Sequence, residues 1–192
     1  MIQLHDTVEF LFKTRARDQL FVFGIGDISK AGYAAGFPTD IAFFMVGAWG
    51  LPASFGIGLA IANPNARIVV IDGDGAFLHS PNHLSLLASL QVTNYHFVIV
   101  NNGIYRSSGG QRIMALDQGI EIEKIISAHG FSNIECLSDQ NELPQMNRES
   151  PGPAFTVVRT TASQNRYPRV PLEEVRNSFT PSMHTCSRMT ED

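Results

Sequence analysis

The sequence predicts a doubly wound α/β fold on a mainly parallel sheet, and three observations carry that expectation. Four short apolar runs, LFVF at 20–23, IVVI at 68–71, FVIV at 97–100 and AFTVV at 154–158, lack the polar alternation of a strand with one wet face. Helical patterns lie between them, so the order strand, helix, strand recurs. With 192 residues and 44% hydrophobic content, the chain can bury about two-thirds of its unfolded surface in a single domain.

The elements follow in order. After LFVF, residues 24–47 hold Gly24, Gly26, Gly32, Gly36 and Gly47 around one possible strand, IAFFMV, and the glycines suggest close approach of backbone to a ligand. GLPASFGIGLAIA at 50–62 reads as a small-residue helix able to pack tightly on a sheet, ended by the turn NPNAR. NHLSLLASLQ at 82–91 places Leu84, Leu87 and Leu90 at helical spacing. A further helix over 119–129 turns Ile122, Ile125 and Ile126 inward and Glu121, Glu123 and Lys124 outward. Beyond residue 160 the chain becomes polar and basic, with one short helix in PLEEVRNSF. The domain is expected to occupy 1–180, with 181–192 as a mobile tail.

Composition narrows the function classes. A net charge of −4 without long runs of one sign gives no surface for nucleic acid or for an anionic membrane. Two cysteines, Cys136 and Cys186, have no metal-ligand spacing and fit a reducing compartment, so a cytoplasmic setting is expected. No run reaches the roughly 18 apolar residues of a membrane span, and the N-terminus does not read as a signal peptide. His79 and His83 are four apart, but Pro81 lies between them and no third ligand follows. Cys136 reads as a strand residue with no neighbouring base.

The informative motif is VVIDGDGAF at 69–77. A phosphate cradle would not place Asp74 between two glycines, because a bare anion would be repelled. A hard cation bridging the carboxylate and phosphate oxygens removes the conflict, and Mg2+ prefers such oxygen ligands. Gly73 and Gly75 then admit the backbone to a diphosphate, and a helix beginning near 81 could aim its amides at it. Asp-Gly is also an ordinary turn dipeptide. The second half of the pattern decides between them: after 25 intervening residues Gly75 is followed by Asn101-Asn102-Gly103-Ile104, at the end of the next strand. Neighbouring parallel strands bring their carboxyl ends side by side, so Asp74 and the Asn102 amide oxygen can face one point.

GDG, 25 residues, then NN resembles the thiamine-diphosphate signature of the decarboxylase and carboligase superfamily. The resemblance implies thiamine diphosphate and Mg2+ as cofactors. It makes Asp74 and Asn102 metal ligands through their side chains, and Ile104 a third through its backbone carbonyl. VGAWGLPASFGIGLA at 46–60 is similar to the stretch that passes beneath the cofactor. There Gly47 would receive the aminopyrimidine group, and Trp49, beside Ala48, would prop the bent cofactor where the family more often has leucine, isoleucine or methionine. Gly26, Gly73, Gly75, Ala76 and Ser107 complete the implied cofactor-binding set.

NNGIYRSSGGQR at 101–112, RYPRVPLEEVRNSF in the tail and FGIGDISKAGY near the start resemble phosphonopyruvate and sulfopyruvate decarboxylases. The implied substrate is an anionic 3-substituted pyruvate, converted to an aldehyde and CO2. Its acid group would be recognised from Lys30, Ser108 and Gln111, with Arg106 and Arg112 as further basic groups. Two positions depart from those enzymes: Ala31 where they tend to have glutamate, and Arg112 where proline tends to follow the glutamine.

In this superfamily the catalytic glutamate stands on a separate pyrimidine-binding domain. Only 72 residues precede GDG, and the start of the diphosphate-binding domain uses them. The chain therefore resembles the diphosphate-binding subunit of a split enzyme, with a pyrimidine-binding partner in two copies each. The competing readings are a carboligase subunit and a non-catalytic cofactor-binding subunit.

Overall fold

The computed structural model describes residues 1–147, 152–161 and 165–178. The expected mobile tail at 181–192, with Cys186 and the last residues of the expected domain, lies outside them.

In chain order the elements are α1 (Leu4–Thr14), β1 (Gln19–Phe23), α2 (Asp27–Ala34), β2 (Ala42–Phe44), α3 (Pro52–Ala62), β3 (Arg67–Gly73), α4 (Asp74–His79), α5 (Asn82–Ser89) and β4 (Tyr95–Asn101). A two-residue hairpin follows, β5 (Ile104–Tyr105) and β6 (Gln111–Arg112), then α6 (Met114–Asp117), α7 (Ile122–Ala128), β7 (Ile134–Leu137), β8 (Ala154–Arg159) and α8 (Leu172–Arg176). Six strands form one parallel sheet in the order β2-β1-β3-β4-β8-β7. The four apolar runs are its four central strands. Cys136 lies in β7, as expected, and PLEEVRNSF supplies α8.

The sheet is covered on both faces, which is why its strands needed no polar alternation. Phe21, Phe23, Val69, Ile71, Val98, Val100 and Val158 pack under α1 and α2. The alternate residues Val22, Ile68, Val70, Phe97, Ile99 and Val157 pack under α3, α5 and α7. The period-2 geometry of a strand thus sends successive residues into two different cores. Ile122 and Ile126 of α7 are buried and Ile125 is half-buried. In α5, Leu84 and Leu87 are buried, while Leu90 ends the helix half-buried.

α3 approaches β3 closely because it has no side chain at Gly56. A Cβ there would lie 2.2 Å from Val70 Cγ2 and 3.2 Å from the Tyr95 ring. Gly56→Ala should destabilise by about 1–3 kcal/mol through overpacking, read as a lower denaturant midpoint. Gly58→Ala should not, because nothing lies within 4 Å of its Cβ position.

Three elements differ from the sequence expectation. The glycine-rich stretch 24–47 contains the helix α2, and its strand is only Ala42–Phe44. α1 was not signalled by the apolar runs, although its Leu4, Val8 and Leu11 are buried at helical spacing. The helix expected to begin near 81 is α5, which starts at Asn82 with Pro81 at its N-cap position, but an unexpected helix, α4, precedes it and begins at Asp74 itself. Amides near residue 81 therefore do not open the helix that follows the GDG turn. Ser80 and Pro81 break the helix, and proline cannot donate the hydrogen bond that would continue it.

Candidate active site

β1 leads through α2 to β2 on one side of the sheet, and β3 leads through α4 and α5 to β4 on the other. The strand order therefore reverses between β1 and β3, where open α/β sheets hold ligands beyond their carboxyl ends. A cleft occupies that position. Its walls include Ile25 and Asp27 after β1, Trp49 after β2, Asp72–Ala76 at the end of β3, Asn102–Ser107 after β4, and Thr160, Thr161 and Tyr167 after β8.

β3 and β4 pair in register from Ile68↔Tyr95 to Gly73↔Val100, so Asp74 and Asn102 leave adjacent strand ends together. Asp74 is 2% exposed. Its Oδ2 accepts the backbone N–H groups of Asn102 at 2.9 Å and Gly103 at 2.7 Å, and its Oδ1 that of Gly75 at 2.8 Å. Burial pushes its carboxyl above the ordinary range, against the pull of those amides. Asn102 is oriented in turn, its Oδ1 accepting the Ile104 N–H at 2.9 Å. An antiparallel hairpin then carries Ile104 and Tyr105 back over the turn.

The glycines have distinct tasks. A Cβ on Gly75 would meet the Tyr105 ring at 2.5 Å, so its missing side chain admits that ring. Nothing lies within 4 Å of the Cβ position on Gly73. Gly47, Ala48 and Gly50 all have positive φ, of 79°, 56° and 80°. Ala48 is the one non-glycine with positive φ among the described residues, a conformation that marks a constrained loop. Trp49, 40% exposed, stacks on His79 with ring centroids 4.2 Å apart and meets Tyr105 edge-on at 5.9 Å. His79 therefore serves the cleft wall, while His83 is buried on α5 with Nδ1 2.7 Å from the Ser80 carbonyl oxygen. The two do not form a metal pair.

Of the residues singled out from the sequence, Trp49, Gly73, Asp74, Gly75, Ala76, Asn102, Ile104 and Ser107 line this one cleft. Gly26, Lys30 and Gly47 line a neighbouring hollow with Ser29, Met45 and Arg169. A Cβ on Gly26 would touch Ser107 Cβ at 3.0 Å, which connects the two. Ser108 and Gln111 lie exposed on the hairpin, outside the cleft lining. Arg112, also exposed, pairs with Asp117 at 2.6 Å. Lys30 and Arg106 both bind the Asp27 carboxylate, Lys30 at 3.4 Å.

The sequence reading missed Asp72, Asp27 and Ser29. Asp72 is 3% exposed, and burial pushes its carboxyl up to about 7, with the neighbouring Asp74 adding to the effect. Its space exists because Gly24 has no Cβ, which would lie 2.0 Å from Asp72 Oδ1. The available signal was an acid closing a wholly apolar strand. Ser29 ties the two strand ends together, donating to the carbonyl oxygens of Gly24 at 2.7 Å and Met45 at 2.9 Å.

This donor set fits a magnesium-bound diphosphate. Two buried carboxyls, each pushed up by its surroundings, make the end of β3 a place where a cation relieves a cost. Asp74 and Asn102 present hard oxygens there. No group of three or more His, Cys, Asp or Glu residues placed to hold a metal ion occurs among the described residues. The expected ligand set needs none, because one carboxylate is joined by an amide and a backbone oxygen.

Comparison with known proteins agrees with the geometry. Residues 31–158 match the family model described as thiamine pyrophosphate enzyme, C-terminal TPP binding domain. The chain is 31% identical over 133 residues to sulfopyruvate decarboxylase subunit beta of Methanocaldococcus jannaschii, a match covering 69% of each chain. It is 29% identical over 136 residues to phosphonopyruvate decarboxylase of Streptomyces viridochromogenes, covering 71% of this chain but 33% of that one. Among solved structures, 2-oxoglutarate:ferredoxin oxidoreductase from Magnetococcus marinus shares the fold, with a TM-score of 0.66 at 19% identity over 83% of this chain and 60% of that one. The matched stretch holds Trp49, the GDG turn and Asn102 together, so the motif sits in the context where its spacing has chemical meaning: the chain belongs to the thiamine pyrophosphate enzyme family, through its C-terminal TPP-binding domain.

Proposed function

We propose that the chain is the diphosphate-binding subunit of a two-subunit, thiamine-diphosphate-dependent 2-oxo acid decarboxylase. Its substrate is an anionic 3-substituted pyruvate, sulfopyruvate or phosphonopyruvate, and its partner carries the pyrimidine-binding domain, two copies of each forming the enzyme. The observation that carries the reading is the convergence of Asp74 and Asn102 at the ends of adjacent strands. The match to a beta subunit of similar length supports the two-subunit form.

When bound, thiamine diphosphate supplies the electron sink that lets a 2-oxo acid lose CO2. The chain's own residues do the holding. Asp74 and Asn102, with the Ile104 carbonyl, would hold Mg2+, and Ser107 would donate to the diphosphate. The Gly47 carbonyl would receive the aminopyrimidine, and the Trp49 ring, braced by His79, would support the cofactor. The cleft's acids are already engaged: Asp27 by Arg106 and Lys30, Asp72 by the Gly73 amide, and Asp74 by three amides. None is a glutamate free to face a pyrimidine ring, which is why the acid that activates the cofactor is assigned to the partner.

The test is decarboxylation by the purified chain, alone and with a co-produced pyrimidine-domain subunit, in saturating thiamine diphosphate and Mg2+. CO2 release from sulfopyruvate or phosphonopyruvate should need both chains, and turnover by this chain alone would refute the split. Products formed with an added acceptor aldehyde separate decarboxylation from carboligation.

A further inference from the structure

We propose that Arg106 is a positioning residue that latches the hairpin of the candidate site to the start of α2 through Asp27. This rests on the reading of the cleft above, and it assigns Arg106 to the loop that would hold the cofactor instead of to recognition of the substrate's acid group.

The hairpin needs a latch because its own ladder is short. β5 and β6 pair only through Ile104↔Arg112 and Tyr105↔Gln111, and a lone two-stranded hairpin is marginal in water. Yet it carries the Ile104 carbonyl and, in the 3₁₀ turn Arg106–Ser108 that follows, Ser107, two of the groups assigned to the metal and the diphosphate. Arg106 lies between them.

The ties that Arg106 makes run to other segments. Its Nε donates to Asp27 Oδ2, at the first residue of α2, and its Nη2 donates to the Asn165 carbonyl oxygen at 2.7 Å, beyond β8. The planar fork of a guanidinium reaches both at once. The side chains of Arg106 and Asp27 are 25% and 21% exposed, so the pair is partly shielded from solvent. Lys30 holds the other carboxylate oxygen of Asp27 at 3.4 Å, from one turn further along α2. Beside the pair, Ser107 sits so close to Gly26 that a Cβ on the glycine would lie 3.0 Å from Ser107 Cβ. A loop already held in its binding geometry loses less freedom when a ligand arrives, and that is how the latch strengthens binding.

Charge alone predicts the opposite effect of removing Asp27. Its carboxylate belongs to the cleft wall, so its loss takes a negative charge away from the diphosphate and releases two cations, Arg106 and Lys30. By charge, Asp27→Ala would bind the cofactor more tightly. Through the latch, it binds more weakly.

The experiment uses the full chain, with Trp49, its single tryptophan, as a fluorescence reporter inside the cleft. Thiamine diphosphate is titrated at fixed Mg2+ into wild type, Asp27→Ala, Arg106→Gln, the double variant and Asp74→Asn, and amide hydrogen exchange is followed in each cofactor-free protein. Asp27→Ala and Arg106→Gln should each raise the dissociation constant about tenfold. The double variant should bind no more weakly than Arg106→Gln, because both changes remove the same tie. Amides of residues 104–112 should exchange faster in both single variants, while those of β3 and β4 keep wild-type protection. Affinity in Asp27→Ala equal to or tighter than wild type, or unchanged exchange in the hairpin, would overturn the latch. Lost protection in β3 and β4 would overturn it too, by making the pair a general prop of the fold. If the wild type itself binds no thiamine diphosphate, the reading of the cleft fails as a whole. If wild type binds, Asp74→Asn weakens and Asp27→Ala does not, the latch alone fails.

Discussion

Asp74→Asn should lower the affinity for magnesium and thiamine diphosphate by at least about thirtyfold while leaving the fold intact. The asparagine keeps an oxygen where Oδ2 accepts the Asn102 and Gly103 amides, so the turn retains its ties between the ends of β3 and β4. What it loses is the negative charge. A hard divalent cation draws much of its binding from an anionic oxygen, and without that cation the diphosphate faces the remaining carboxyl of Asp72 with nothing to offset it. Removing one member of a charged contact that excludes water commonly costs 2–5 kcal/mol, which corresponds to about thirtyfold or more. The measurement is the dissociation constant from Trp49 fluorescence or calorimetry. The cofactor-free stability at neutral pH should fall by about 1–2 kcal/mol, because the amide nitrogen replaces the Oδ1 that accepts the Gly75 N–H. Affinity within threefold of wild type would remove Asp74 from the metal site.

The largest expected effect on stability comes from His83. Its ring is 1% exposed, between Phe77 and Phe97, with ring centroids 5.5 and 5.4 Å away. Burial holds its pKa down to about 4, well below the ordinary value of 6.5, and Nε2 has no partner among the described residues. The sign follows from where the proton binds. Between pH 6.5 and 4 the unfolded chain takes up a proton that the folded chain refuses, so this site's contribution is full above 6.5 and is lost as the pH falls. At about 1.36 kcal/mol per pH unit, the loss reaches about 3 kcal/mol near pH 4. Phenylalanine can fill the same aromatic pocket without titrating, at the cost of the contact to the Ser80 carbonyl. Denaturant unfolding of wild type and His83→Phe should therefore diverge on acidification, with the variant gaining about 3 kcal/mol relative to wild type between pH 7 and 4. A constant difference would mean that the buried ring accepts its proton in place. Comparing the two proteins cancels the other titrating groups, including His96, whose pKa burial lowers to about 3.

The half of the candidate site built by Asp74 and Asn102 was legible because it is local in sequence. Strand, Asp74 between glycines, helix, strand and Asn102 occur in order, and a parallel pairing of consecutive strands allows only one outcome for the two strand ends. The opposite wall was not legible, because it comes from segments far apart in the chain. Asp27 meets Arg106 across 79 positions, and Arg106 meets Asn165 across 59. Neither pairing leaves a periodic trace. Tyr167 looks like an ordinary aromatic until the fold brings it to the cleft that Trp49 also lines.

The sequence by itself determined that the chain builds a parallel sheet covered on both faces and that the ends of two of its strands bring the oxygen-bearing side chains of Asp74 and Asn102 together. Alternation of apolar residues and turn chemistry act over a few residues, so they can be read without knowing the fold. Only the tertiary structure decided which strand lies across from the GDG turn. It revealed that Gly24 makes room for the buried Asp72 and that His79 belongs to the tryptophan and not to His83. Those outcomes depend on distances between backbone segments that packing alone sets.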